Sequence, residues 1–330
     1  MPNWGEVLNE INQTRAGLLS QANAVNAALV GQANAALDTV RRKYLTSLYE
    51  KTGRNVIAYY SGFLSKPENL ALDINDEDKN GFMTTVHQLD RSKGLDLILH
   101  TPGGRIAATQ SIVNYLHKMF DGDLRAIVPQ IAMSGGTMMA CSCKTILMGT
   151  HSNLGPIDPQ LRGLPCYGVL EEFKRATKEI KKDPSKIAVW QPILGKYYPT
   201  FISECENGIK WSNEFVLEQL QRTMFKGDRA AKDKAKKIVA ALTAYRVNKG
   251  HSRHVHFEDC EKMGLKVEKI EADAEFQDLL LTVHHCYMHA LMNTPSFKMI
   301  ENHLGIAFVK HDFSGMIKVQ QQMMPPIPAT

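Results

Sequence analysis

The stretch TPGGRIAAT (101–109) directly follows the short apolar segment LDLILH (95–100). A continuously apolar run of this length is typical of a strand buried on both faces of a parallel sheet. A second turn of the same kind, AMSGGTMMA (132–140), follows the apolar segment LRAIVPQI (124–131). In both cases the residues after the glycines have helical spacing. The sequence therefore predicts two glycine-rich strand-to-helix turns close together in one alternation of strands and helices.

Further strand-like segments flank these turns, at NVIAYYSG (55–62) and TILM (145–148). Strands that alternate with helices predict an α/β fold with a parallel sheet and right-handed crossovers built from βαβ repeats. Apolar residues near the N-terminus recur at three- and four-residue spacing, which predicts an amphipathic helix for packing or oligomerisation, or for contact with a membrane surface. The uncharged segment 16–37 contains too many Asn and Gln residues to favour a membrane span.

The chain of 330 residues is long enough for one large domain or two small ones. We expect a helical arm at 1–50 and an α/β domain at 51–312 with a helical insertion at about 184–250. The Pro-rich end, 313–330, is predicted to be a flexible tail.

Composition and motifs argue against several classes of protein. The net charge of +5 is mild, which argues against a dedicated nucleic-acid-binding protein. The six cysteines form no CxxC pair and predict free thiols in a reducing compartment, so we expect a cytoplasmic protein, with peripheral membrane association as the alternative. No GxGxxG or P-loop motif occurs and the histidines form no convincing ligand set, so neither a cofactor nor a metal is predicted.

The two glycine turns have a common chemical meaning. Glycine at a helix start costs roughly 1 kcal/mol relative to alanine, and it is tolerated where the backbone needs unusual angles or close approach. Helix starts also present free N–H groups, so two such turns at adjacent strand ends predict amide donors aimed at one point. Ser134, at the tip of the second turn, is either a helix cap or a nucleophile beside the amides of Gly104 and Gly135.

Four motifs together resemble the Clp-protease/crotonase superfamily: TPGG, AMSGGTMMA, GTHSNLGPIDPQL (149–161) and ENHLGIAFV (301–309). The chain most closely resembles the SDH-type, ClpP-class serine peptidases, which are related to signal peptide peptidase A. The resemblance covers roughly 55–310 and implies a ClpP/crotonase-like fold. It also implies that Ser134 is the nucleophile of an acyl-enzyme mechanism, with Gly104 and Gly135 as the oxyanion donors.

The same resemblance leaves the general base open. The stretch that corresponds to the Clp histidine reads LGPIDPQ and contains no histidine. Relatives of signal peptide peptidase A use a Ser–Lys dyad instead, which implies a lysine downstream of Ser134. Lys174 is our expected base because it borders apolar helix positions, and Lys178, one turn further along, is the alternate. His254 lies near the place of the third Clp triad residue and is expected to orient a partner at the site.

Three functions remain open from the sequence. The resemblance favours a serine peptidase that acts on a peptide or protein and forms a ring or trimer-based homo-oligomer, with an unfoldase or membrane-associated partner unidentified. A crotonase-like enzyme would use the same amides to hold a coenzyme A thioester enolate. A catalytically degenerate scaffold would bind peptides without cleaving them.

Overall fold

The structure, a computed structural model, describes residues 4–21, 28–243 and 253–314, so most of the predicted tail at 313–330 lies outside the described residues. None of the described helices is both long and apolar enough to cross a bilayer. The helices are α1 (Trp4–Gln21), α2 (Ala28–Thr52), α3 (Asp78–Val86), α4 (Ile106–Met119), α5 (Gly135–Cys141), α6 (Cys166–Lys182), α7 (Ile187–Leu194), α8 (Phe201–Arg222), α9 (Ala231–Leu242), α10 (Phe257–Met263) and α11 (Ala274–Asn293).

A mostly parallel sheet of seven strands forms the centre of the described residues, in the order β11-β10-β1-β2-β3-β5-β9. The strands are β1 (Asn55–Ser61), β2 (Leu95–His100), β3 (Leu124–Val128), β4 (Ile131–Ala132), β5 (Thr145–Met148), β6 (Asn153–Leu154), β7 (Gln160–Leu161), β8 (Leu164–Pro165), β9 (Val267–Lys269), β10 (Ser296–Asn302) and β11 (Ala307–His311). From β1 through β9 the neighbouring strands of this sheet are parallel, which confirms the predicted α/β class.

Alternating side chains of the strands supply two hydrophobic cores, because successive residues of a strand point to opposite faces. On β2, Leu97 and Leu99 face a core that also contains residues of α4, α5, α8 and α9. Ile98 faces the other side, where α2 and α11 cover the sheet. The sheet is therefore covered by helices on both faces, as buried parallel strands require.

The N-terminal helices pack on this second face. Leu45 and Leu48 of α2 are fully buried against the sheet and α11. Arg41 of α2 donates from Nε to Glu301 of β10 at 2.6 Å, and both side chains are buried. The C-terminal half of α2 therefore contributes directly to the core.

The sheet differs from the sequence prediction in two respects. The strand expected at 124–131 ends at Val128, and the chain then forms the separate short strand β4, which pairs in parallel with β6. At the sheet edge, β10 and β11 run antiparallel to their neighbours, and the sequence analysis did not predict them. The separate strand β4 ends at Ala132, so it leads the chain directly into the turn at Ser134.

Candidate active site

Ser134 occupies a strained backbone position immediately before α5. Its φ is +47° and its ψ is −111°, a conformation that residues with a side chain rarely adopt. Such a conformation costs on the order of 1–3 kcal/mol and is concentrated at functional sites. The side chain forms no capping hydrogen bond with α5, so the structure gives no support to the capping interpretation.

The structure brings the two glycine-rich turns into contact. Met133 donates its N–H to the carbonyl oxygen of Thr101 at 3.0 Å, which joins the segments that lead into the turns. Gly103 has φ +96°, and a Cβ added there would lie 2.6 Å from the Cβ of Ser134. A Cβ on Gly135 would lie 3.1 Å from the main-chain N of Gly104. Only glycines allow the two turns to approach so closely.

The amides of Gly104 and Gly135 are free for an external acceptor. The next amide along each turn has an acceptor. The N–H of Gly136 donates to the carbonyl oxygen of Met133 at 2.7 Å, and the N–H of Arg105 donates to that of Ile74 at 2.9 Å. Within the part of the chain that the structure describes, the N–H groups of Gly104 and Gly135 have no acceptor. Two amides without an acceptor, close to one serine, are the kind of donors that can stabilise a negatively charged oxygen.

A cavity of about 750 Å³ opens onto this arrangement. Such a volume is in the range that accommodates a drug-sized ligand or a few residues of a peptide. Its walls come from both turns, the start of α4, α5, the β7–β8 hairpin and α8. The lining side chains are both apolar and polar and include Ile106, Met138, Leu161 and Trp211 as well as Asp73, Arg105, Glu204 and Asn207.

Neither predicted lysine lies at this cavity. The side chain of Lys174 is 72% exposed, and its Nζ lies 3.3 Å from Oε1 of Glu171 on the same helix. Lys178 is also exposed, and the residues that line the cavity include neither lysine. The buried face of α6 consists of Cys166, Val169 and Ala176, so in this conformation the lysines point away from the packed side of the helix.

His254 is likewise exposed and does not line the cavity. Its neighbour Val255 exchanges two main-chain hydrogen bonds with Leu154, which places this segment beside β6. The described residues contain no group of three or more His, Cys, Asp and Glu side chains that could hold a metal ion.

Asp158 is a buried carboxylate near the cavity. It lies in LGPIDPQ, the stretch that corresponds to the catalytic histidine of the Clp subunit, and it was not predicted to be a site residue. It is 3% exposed, and Oδ1 accepts a long hydrogen bond of 3.5 Å from the amide of Tyr167. Oδ2 has no partner among the described residues. Burial raises the pKa of Asp158 to about 6, although the bond from Tyr167 opposes this shift. The next two residues, Pro159 and Gln160, line the cavity.

Replacing Asp158 with Asn is expected to stabilise the fold at about pH 8 by roughly 1–3 kcal/mol and to change little at about pH 4. The folded-state pKa of about 6 lies above the ordinary value of 3.8, so the native state binds this proton more tightly. The burial cost is therefore absent below the lower pKa and fully present above the higher one. Chemical unfolding of both proteins at the two pH values measures the difference.

Asp123 provides a control of opposite sign. Burial alone would raise its pKa, but hydrogen bonds from Arg54 and Lys144 outweigh burial and lower it. Asp123→Asn is therefore expected to lose stability at about pH 8. A loss of stability in Asp158→Asn at this pH would contradict the interpretation of Asp158 as a carboxylate that costs the fold stability.

Comparison with known proteins gives a family, two relatives and a similar solved structure. Residues 31–300 match the family described as ClpP-like SDH-type serine proteinases. An uncharacterised protein of Methanocaldococcus jannaschii is 28% identical over 239 residues, which are 70% of this chain and 74% of that protein. A second uncharacterised protein of the same organism is 30% identical over 167 residues, 51% of each chain. A solved structure of a ClpP1 point mutant from Listeria monocytogenes superposes with a TM-score of 0.31 and 10% identity, covering 70% of this chain and 99% of that one.

Proposed function

The chain belongs to the family of ClpP-like SDH-type serine proteinases, and from that membership we propose that it cleaves peptide bonds through an acyl-enzyme on Ser134. The observation that carries the proposal is that Ser134 lines a large cavity together with Gly104, and that the amides of Gly104 and of the adjacent Gly135 have no acceptor among the described residues. The positive φ of Ser134 supports it, because backbone strain of this kind is concentrated where function requires it.

In the proposed mechanism Oγ of Ser134 attacks the carbonyl carbon of the scissile peptide. The carbonyl oxygen becomes an oxyanion and accepts hydrogen bonds from the amides of Gly104 and Gly135, each worth about 10²–10³ in kcat in comparable sites. The proton of Oγ passes to a general base during the attack, and the base gives it to the leaving amine as the C–N bond breaks. Water then attacks the acyl-enzyme, its proton passing through the same base to Oγ, which releases the acid and restores the serine hydroxyl.

Two groups are proposed as acceptors of the Ser134 proton. A Ser–Lys dyad requires Lys174, or Lys178, to swing toward the cavity when peptide binds, which for Lys174 means leaving Glu171. Asp158 is the other candidate, because the residues that follow it form part of the cavity wall and its Oδ2 has no partner among the described residues. Catalytic contacts often tighten only in the substrate complex, so both groups remain in the proposal. His254 is exposed in this structure. We keep it in the proposal as a residue that would orient a catalytic partner after the site rearranges around bound substrate.

A digest of a peptide library by the purified chain tests this function. We expect defined cleavage products, identified by mass spectrometry, that disappear after pretreatment of the protein with a fluorophosphonate. The pH profile of the rate separates the two proposed bases. With Asp158 as base the rate rises through about pH 6, whereas a lysine base gives a rise at higher pH unless its pKa is strongly lowered. An intact library after incubation with untreated protein would contradict the proposal.

Family membership also supports peptide or protein substrates and assembly of the chain with copies of itself. All six cysteines lie in the described residues and are buried, free thiols. Free thiols are typical of a reducing compartment, and on this ground we propose that the protein acts in the cytoplasm.

A further inference from the structure

A fully buried ion pair lies behind one wall of the cavity. Nζ of Lys298, on β10, is 3.0 Å from both carboxylate oxygens of Asp78, at the start of α3. Both side chains are 0% exposed. The hydroxyl group of Tyr59 also donates to Oδ2 of Asp78, at 2.8 Å. The pair therefore links β1, β10 and α3 inside the protein.

This ion pair holds an irregular segment, residues 72–75, which we call the strap. Nζ of Lys298 donates to the carbonyl oxygen of Asp73 at 2.6 Å. The carboxylate of Asp78 accepts the amide of Asn75 at 3.1 Å. A third anchor, the hydroxyl group of Ser61, donates to the carbonyl oxygen of Leu72 at 2.7 Å. The strap is thus fixed on both sides of Ile74.

Ile74 in turn holds the Pro-Gly-Gly turn. Its amide donates to the carbonyl oxygen of Gly103 at 2.7 Å, and its own carbonyl oxygen accepts the amide of Arg105 at 2.9 Å. Gly104 lies between these two bonds, so close that an added Cβ would be 2.7 Å from the Cα of Ile74. The two bonds fix the peptide planes on either side of Gly104, and so they set the direction of its unpaired amide.

Folding stability alone does not account for a charged pair at this place. Replacing a buried ion pair by apolar residues of similar volume is often neutral or stabilising, because the desolvation cost exceeds the Coulombic gain. Burial lowers the pKa of Lys298, although the neighbouring carboxylate of Asp78 opposes this shift. What the ammonium group adds is directional bonding to the strap.

We infer that Lys298 and Asp78 are positioning residues that aim the Gly104 amide into the cavity, acting through the strap and Ile74. The inference rests on the proposed peptidase function. Neither side chain lines the cavity, so both act on the substrate only through the main chain of other residues.

The test compares Lys298→Met with Arg41→Met. Each variant removes the cation of a buried ion pair that has one member on β10. Lys298 of β10 pairs with Asp78, and Arg41 of α2 pairs with Glu301 of β10. Lys298 lies opposite Ser61, near the end of β1, whereas Glu301 lies opposite Ala58, further back along that strand. For Lys298→Met we expect kcat to fall about 10- to 100-fold with KM changed less than about twofold, since a small misplacement near the reacting centre can cost about 10²-fold. For Arg41→Met, compared at a temperature where both variants are folded, kcat should stay near the wild-type value.

The outcomes separate this inference from the proposed function. If the wild-type protein is not labelled by a fluorophosphonate at Ser134, the peptidase proposal fails and the inference fails with it. If the wild type is labelled and Lys298→Met keeps its kcat, or loses no more than Arg41→Met, the inference alone is wrong. Should Lys298→Met not fold, Tyr59→Phe, which removes one hydrogen bond to Asp78, replaces it, and an unchanged kcat in that variant would overturn the inference.

Discussion

Replacing Ser134 with Ala is expected to lower kcat for peptide hydrolysis by about 10³-fold or more, because the covalent route through the hydroxyl group is lost. The fold should survive, since the side chain forms no capping hydrogen bond and the backbone geometry is one that Ala tolerates no worse than Ser. Steady-state hydrolysis of a cleavable peptide, together with the unfolding temperature, measures both effects.

Ser111→Ala is the matched control for this variant. Ser111 lies on α4 and accepts a hydrogen bond from Lys79 at 3.0 Å, but it does not line the cavity. It should keep nearly full activity. Retention of hydrolysis by Ser134→Ala at a rate close to that of Ser111→Ala would show that another group performs the chemistry.

Replacing Gly104 with Ala is expected to lower kcat by about 10²–10³-fold, the effect of losing one oxyanion donor. The new methyl group would collide with the main-chain N, O and Cα of Ile74, which are backbone atoms that cannot turn aside. The turn must move away from the strap, and the amide moves with it. Substrate affinity should change much less, because the amide is needed chiefly when the oxyanion forms.

Gly17→Ala controls for the general effect of a glycine replacement. Gly17 lies on α1, and a Cβ there would meet nothing within 4 Å. That variant should gain helix stability, roughly 1 kcal/mol, without a change in kcat. If Gly104→Ala kept wild-type kcat while remaining folded, the amide of Gly104 would not be an oxyanion donor.

The parallel sheet and the two turns could be predicted from the sequence because their signals are local. A buried strand such as β2 reads as a continuous apolar run, and a turn that must approach another turn needs glycine at fixed positions. Gly103 shows this directly, since any side chain there would strike Ser134. Local signals of this kind place Ser134 without any knowledge of the packing.

Contacts between distant parts of the chain carry no such signal. The strap precedes the Pro-Gly-Gly turn, and Lys298 follows Asp73 of the strap by 225 residues, so only the folded chain shows that they meet. The strand β10 was missed because it contains Lys298 and Glu301, whose burial is made acceptable by partners on α3 and α2. Lys and Glu are usually exposed, so in a sequence they predict a surface segment and not a buried strand.

The general base shows the same limit. The positions of downstream lysines in the sequence do not say which face of α6 packs on the protein. That is decided by the packing of Cys166 and Val169 against Phe201 and Cys205 of α8. Asp158 is a candidate because its carboxylate is buried, and the stretch LGPIDPQ does not predict that burial. Lys174 and Asp158 both remain proposals for this role.

Mass spectrometry of the wild-type chain after reaction with a fluorophosphonate tests the central claim most directly. The claim is that the Ser134 hydroxyl is the nucleophile and that the amides of Gly104 and Gly135 stabilise the oxyanion that its attack creates. The predicted result is one adduct, on the peptide that contains Ser134, at a rate that falls in Gly104→Ala. An adduct on a different residue, or no adduct on protein shown to be folded, would contradict the account.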